Sequence, residues 1–234
     1  MHEHFVIESK SDLWYYGLAG GALYILLIIA LGFLAKKNNK EKLFSKVLFW
    51  FLLLREIVFF VTITMQGKFT LVDSLPLHLC TISYIFCIIY FYNKNRFSFE
   101  FLMLLSLGGA IQSLLTPEMT HGYSDYFYVD YYISHCTIIM TPFYGFLIDH
   151  YKPRKLSFMW VWLIGHIILM IVGMINSLIG SNYIYLCTKP KVDNAMVDGF
   201  FPNHLVSFEV FGTLHIILFY VLFRFVFPTK KHTY

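Results

Sequence analysis

The chain has 234 residues, of which 58% are hydrophobic and 14% charged, with 20% aromatic. Soluble domains carry about a quarter charged residues, so this balance excludes an ordinary water-soluble domain and points to a membrane protein. The net charge of +4 would suit nucleic acid, but the basic residues sit in short loops between apolar runs, where membrane topology explains them better and no nucleic-acid partner is expected.

Runs of about twenty apolar residues predict an all-α, polytopic protein forming one domain over 1–234, with seven transmembrane helices. The spans fall near 14–34, 46–66, 76–92, 98–116, 131–150, 156–180 and 204–227. The first is too long for a signal-peptide core and is read as retained. Lys and Arg alternate in abundance across the loops: thirteen fall on the side of the loops after spans one, three and five and the carboxyl end, against four on the other side. The positive-inside rule then sets the amino end outside and the carboxyl end in the cytoplasm of a multi-pass protein of the cell membrane. The long segment 181–203 lies outside and is the place for a short lid or re-entrant element.

Polar side chains inside a span are costly, so each is a functional suspect or a hydrogen-bonding partner. Arg55, near the middle of span two, needs a counter-charge, with Glu56, Glu209 and Glu100 as candidates; the alternative is a guanidinium that binds substrate, as for a phosphate. The outer ends of the remaining spans hold His78, Cys80, Gln112, Thr116, Ser134, His135, Asn176, Asn182, Tyr183, His204 and Glu209, which together predict one polar belt. Gly108, Gln112 and Thr116 recur every four residues and share one helix face. Trp162, His166, Gly173, Ser177 and Gly180 form a second stripe, whose small residues also suit a packing seam.

Within the belt, Cys80 is the candidate nucleophile, because a thiol beside an imidazole can attack an ester carbonyl; the alternative is a small buried thiol. If span three starts near Pro76, His78 and Cys80 point about 200° apart, which makes His135 the better base and leaves His78 to orient the site. Gln112, Thr116, Asn176, Asn182, Tyr183, Arg55 and Glu209 are the expected substrate-binding residues, with Gln112 or Asn182 donating to an oxyanion. Cys80 and Cys87 rise roughly 10 Å apart on a helix, too far for a disulfide. The cluster His2, Glu3 and His4 resembles a metal triplet, but no HExxH or paired CxxC accompanies it, and neither metal nor cofactor is expected.

The segments LPLHLC (75–80), GGAIQSLLTPEM (108–119), SHCTI (134–138) and Asn176 followed by GSNYIYLCTKP (180–190) resemble the YwaF-like family of bacterial integral membrane proteins. That family is distantly similar to the transmembrane protein 164 acyltransferases, which move acyl chains between phospholipids through a Cys and a His. The resemblance implies acyl transfer, with His78 and His135 as carried-over positions; together with the polar cluster of His78, Cys80, His135, Gln112 and Asn182 the expectation is a lipid acyltransferase or lipid ester hydrolase at the outer leaflet, with membrane lipids as partner. The rival classes are a small-molecule transporter or binding protein whose outward cavity is lined by the same belt, with Arg55 and Glu209 binding a charged substrate, and a non-catalytic scaffold. A rhodopsin-like receptor is excluded because 204–227 has no Lys for a retinal Schiff base.

Overall fold

The computed structural model describes residues 4–192 and 202–227. These form seven helices: α1 (Asp12–Lys37), α2 (Glu41–Met65), α3 (Leu79–Asn93), α4 (Arg96–Leu115), α5 (Asp125–Leu147), α6 (Ser157–Ile179) and α7 (Asn203–Val226). Two short strands, β1 (Phe5–Val6) and β2 (Glu118–Met119), pair antiparallel with Phe5 opposite Met119. Five helices, α1, α2, α4, α6 and α7, are long and apolar enough to cross a membrane. The 15-residue α3 is shorter, and α5 is too polar to meet that test.

The reason lies in where α5 sits. It is enclosed by α1, α3 and α4, and 14 of its 23 residues are buried. A helix shielded by neighbours can carry Asp130, Thr137 and His135 that a lipid-facing helix could not. Ser124 caps it, accepting from the Phe127 amide at 3.2 Å, so α5 begins six residues earlier than the expected 131. Along one side Gly17, Gly21 and Gly32 of α1 bring that helix against Tyr132, Cys136 and Tyr144; a Cβ on any of the three would run into those side chains. Small residues of this kind let membrane helices approach closely. Tyr24 Oη and Thr137 Oγ1, 3.0 Å apart, add a hydrogen bond across the same contact.

The expected seam on α6 is a correction. Gly173 meets only the Leu186 methyl at 3.8 Å and Gly180 nothing within 4 Å, while Trp162 and Ser177 are exposed. Gly180 instead closes α6 with φ 67°, a left-handed conformation that suits glycine. A second correction concerns α3, which starts at Leu79 rather than at Pro76; His78 is its extended N-cap residue, with φ −67° and ψ 145°.

α4 is interrupted by a π-turn at Leu102–Ser106. Ser83 Oγ donates to Ser106 Oγ at 2.8 Å there, tying α3 to the wide turn. All four cysteines are free.

Candidate functional site

At the end of the bundle where α3, α5 and α7 begin, four non-helical segments converge. β1 lies on β2, His4 Nδ1 sits 2.5 Å from Glu118 Oε1, and the Lys191 amide donates to Glu118 Oε2 at 3.1 Å. The Tyr183 hydroxyl links two of the segments, accepting from the Leu75 amide at 2.8 Å and donating to the Leu71 carbonyl at 2.9 Å. Beneath this cover lies a cavity of about 760 Å³ between α2, α3, α4, α5 and α7.

His78, Cys80, His135, Gln112, Thr116 and Arg55 all line that cavity. Because α3 begins late, the opposed directions expected of His78 and Cys80 do not arise. Both face the same space, Cys80 from the first turn of α3 and His78 from the cap before it. His78 Nδ1 accepts a long hydrogen bond from the Ile184 amide, 3.4 Å, and its ring meets the edge of Tyr183 with centroids 5.0 Å apart. Ile184 holds φ 58°, a costly conformation for a β-branched residue.

His135 is 6% exposed. Its Nδ1 lies 2.8 Å from the Tyr131 carbonyl oxygen, and its ring lies over Tyr131 with centroids 4.2 Å apart. A carbonyl only accepts, so Nδ1 carries the proton and the neutral ring keeps its lone pair on Nε2. Among the described residues Nε2 makes no hydrogen bond. His215 on the α7 wall is the opposite case: its Nε2 accepts from the Gly108 amide at 3.1 Å, so its lone pair is occupied.

Gln112 donates through Nε2 to Thr116 Oγ1 at 3.2 Å, which leaves one amide hydrogen for a ligand. Gly108, Gln112 and Thr116 do form one wall, as their spacing implies. Arg55 is held by Asp130, with Nε 2.7 Å from Oδ1 and Nη2 against Oδ2, and by Glu56 Oε2 at 2.7 Å. Of its three expected partners only Glu56 is used. Glu100, 1% exposed, instead takes Arg154, whose pKa it raises through their hydrogen bonds.

Four expected substrate-binding residues do not line the cavity. Asn176 is buried and spends its amide on the cover, donating to the Tyr183 carbonyl and accepting from the Tyr183 amide, both at 2.9 Å. Asn182 accepts from the Cys187 and Thr188 amides at 2.9 and 3.0 Å and donates to both the Thr188 carbonyl at 2.9 Å and its Oγ1 at 2.7 Å, so no oxyanion donor remains on it. Tyr183 is the tie already described. Glu209 lies between α6 and α7, 3.1 Å from His166 Nε2 and accepting from Thr213 at 2.9 Å, so Arg55 and Glu209 do not share a recess. His2 and Glu3 of the amino-terminal triplet lie outside the described residues.

Several cavity residues escaped the sequence reading. Asp130 falls one residue before the start expected for span five. Ser74 and His121 come from the loops, with Oγ and Nε2 3.2 Å apart. Tyr185, also on the wall, has its hydroxyl pKa pushed far up by burial and by the adjacent Glu118 carboxylate, which keeps it a neutral donor. The profile of the TMEM164 family matches residues 10–222. The chain belongs to the TMEM164 family. That match spans all seven helices nearly end to end, including the cavity, and with the five long apolar helices it fits an integral membrane protein. No curated protein and no solved structure matches the chain.

Proposed function

We propose that this TMEM164-family protein transfers or hydrolyses acyl esters of membrane lipids at the outer leaflet of the cell membrane. It crosses seven times, with the amino end outside and the carboxyl end in the cytoplasm, and it belongs to the YwaF-like bacterial branch of the family. The loop charges, thirteen on one side against four on the other, support that topology. The segments LPLHLC, GGAIQSLLTPEM and SHCTI support the branch, and the similarity to the animal acyltransferases supports the chemistry.

The observation that carries the reading is the Nε2 of buried His135, unpartnered among the described residues, on the wall of the same cavity as the Cys80 thiol. A neutral imidazole with its other nitrogen held by a backbone carbonyl is a general base in the correct tautomer. In the reaction, His135 Nε2 takes the thiol proton and the Cys80 sulfur attacks the ester carbonyl. The carbon–oxygen bond of the ester breaks, a thioester forms, and the departing lysolipid oxygen receives the proton back from His135. An acceptor hydroxyl, from a second lipid or from water, then gives its proton to His135 and attacks the thioester, restoring the thiol.

The charge on the tetrahedral oxygen needs donors. Gln112 has one amide hydrogen to give, and no side chain caps the first amides of α3, where Cys80 sits. His78, accepting at Nδ1, presents an N–H at Nε2 for the same purpose or to orient the ester. The Arg55–Asp130–Glu56 group has its guanidinium already satisfied by two carboxylates and serves as a wall, not as a phosphate clamp.

The test is turnover of acyl lipids by purified protein in liposomes, read by mass spectrometry. Cys80→Ala and His135→Ala are each expected to lower the rate by about 10²–10⁴-fold. Wild-type rates in both variants remove the mechanism.

A further inference from the structure

The cavity is polar around Cys80 and His135 and apolar toward Leu105, Ile138, Leu214 and Leu218. Its apolar part is not closed. Leu214 and Leu218 are 57% and 53% exposed although they line it, and Gly109 opposite them on α4 is exposed as well. Beside the Gly108–His215 contact that joins α4 to α7, the recess therefore opens sideways between the two helices.

Gly109 and Gly212 flank this opening, and a Cβ built on either meets no atom within 4 Å. Gly108 next door differs, since its Cβ would run into the His215 ring at 2.5 Å. A helical glycine is unfavourable relative to alanine and is ordinarily explained by close packing or a special backbone angle. Neither applies to Gly109 or Gly212, and unlike the equally open Gly20 of α1 both line the cavity, so a side chain at either would take up its space. The π-turn at Leu102–Ser106 widens α4 just before this point, as such turns do at functional sites. The polar end of the same space holds His135 Nε2, unpartnered among the described residues, from a side chain more than nine-tenths buried.

We infer that the gap between α4 and α7 is a lateral door for one acyl chain of a membrane lipid, and that Gly109 and Gly212 set the bulk of chain admitted. The chain lies against Leu105, Leu214 and Leu218 while its ester reaches Cys80 and His135. A lipid already dissolved in the bilayer then enters without crossing the polar cover. The inference rests on the proposed reaction and specifies which part of the substrate this wall recognises.

The experiment uses the full chain in phosphatidylethanolamine and phosphatidylglycerol vesicles carrying lauroyl, palmitoyl and arachidonoyl chains together. Gly109→Leu and Gly212→Leu are expected to lower the arachidonoyl-to-lauroyl product ratio by about tenfold or more, the discrimination a few methylenes give in an apolar pocket. Gly20→Leu on α1 also enters open space but does not line the cavity, and it leaves the ratio unchanged. An unaltered ratio in both cavity variants, or an equal loss for every chain, overturns the door. If the wild-type protein turns over no acyl lipid, the reaction itself falls, and the door is judged by a diazirine-bearing acyl phospholipid. Labelling of α4 and α7 that drops in both leucine variants supports it; labelling elsewhere, or unchanged by them, overturns it.

Discussion

Glycines on two faces of this protein look alike in the sequence and do opposite things. On α1, Gly17, Gly21 and Gly32 are filled from the other side by Tyr132, Cys136 and Tyr144, so the missing side chains are replaced by protein. On the wall made by α4 and α7, Gly109 and Gly212 face nothing. The first face is a seam whose changes are felt as stability; the second borders a recess whose changes are felt as chemistry. Spacing alone does not separate them, because both are small residues on apolar helices, and only the identity of the facing atoms does.

That contrast can be attacked at several strengths. The largest stability effect is expected at the boundary between the two regions, where Arg55 is enclosed with Asp130 and Glu56. Arg55→Ala leaves two carboxylates uncompensated and should cost about 3–5 kcal/mol, measured by reversible unfolding in detergent. The combined change Arg55→Met, Asp130→Leu and Glu56→Gln should recover most of that loss, since an apolar replacement of a whole buried ion group is often neutral. Failure to recover would mean that the group acts on more than folding.

Next comes Gln112→Ala, which removes a donor from the recess while leaving the seam intact. Turnover should fall by about 10²–10³-fold, as for the loss of one oxyanion donor, with little change in unfolding. A variant that unfolds early yet turns over normally would assign Gln112 to packing and blur the contrast. The smallest effect belongs to the seam itself. Gly17→Ala forces a methyl into the Tyr132 ring and should destabilise by about 1–3 kcal/mol, with the acyl-chain preference of the folded fraction unchanged. A shifted preference would show that the seam reaches the recess.

Much of the layout was legible because apolar runs and basic loops are strong signals. Every helix but the fifth begins and ends within about five residues of its expected limits, the start of α2 at Glu41 being the widest departure. The fifth starts at Asp125, six residues before its expected limit. The stretch Asp125–Asp130 is rich in Tyr and acid and reads as loop, yet it is helical because α5 is enclosed, and its last residue is the missing partner of Arg55.

The candidate site was half legible for a related reason. Depth in the membrane put His78, Cys80, Gln112, Thr116 and His135 near one another, and all five line the cavity. The same reasoning put Asn176, Asn182 and Tyr183 there, but the two amides satisfy the backbone of the 181–188 cover and the Tyr183 hydroxyl that of Leu71 and Leu75. Hydropathy carries depth; it does not carry the direction in which a side chain turns. Glu209 illustrates this best, facing His166 of α6 and not the cavity.

The most direct measurement is the mass of the peptide containing Cys80 after purified protein has been mixed briefly with an acyl phospholipid and quenched in acid. The account predicts an acyl group on Cys80, released by hydroxylamine, absent from Cys80→Ala and scarcely formed by His135→Ala. Protein that turns over lipid with an unmodified Cys80, or that carries the acyl group on another residue, would contradict it.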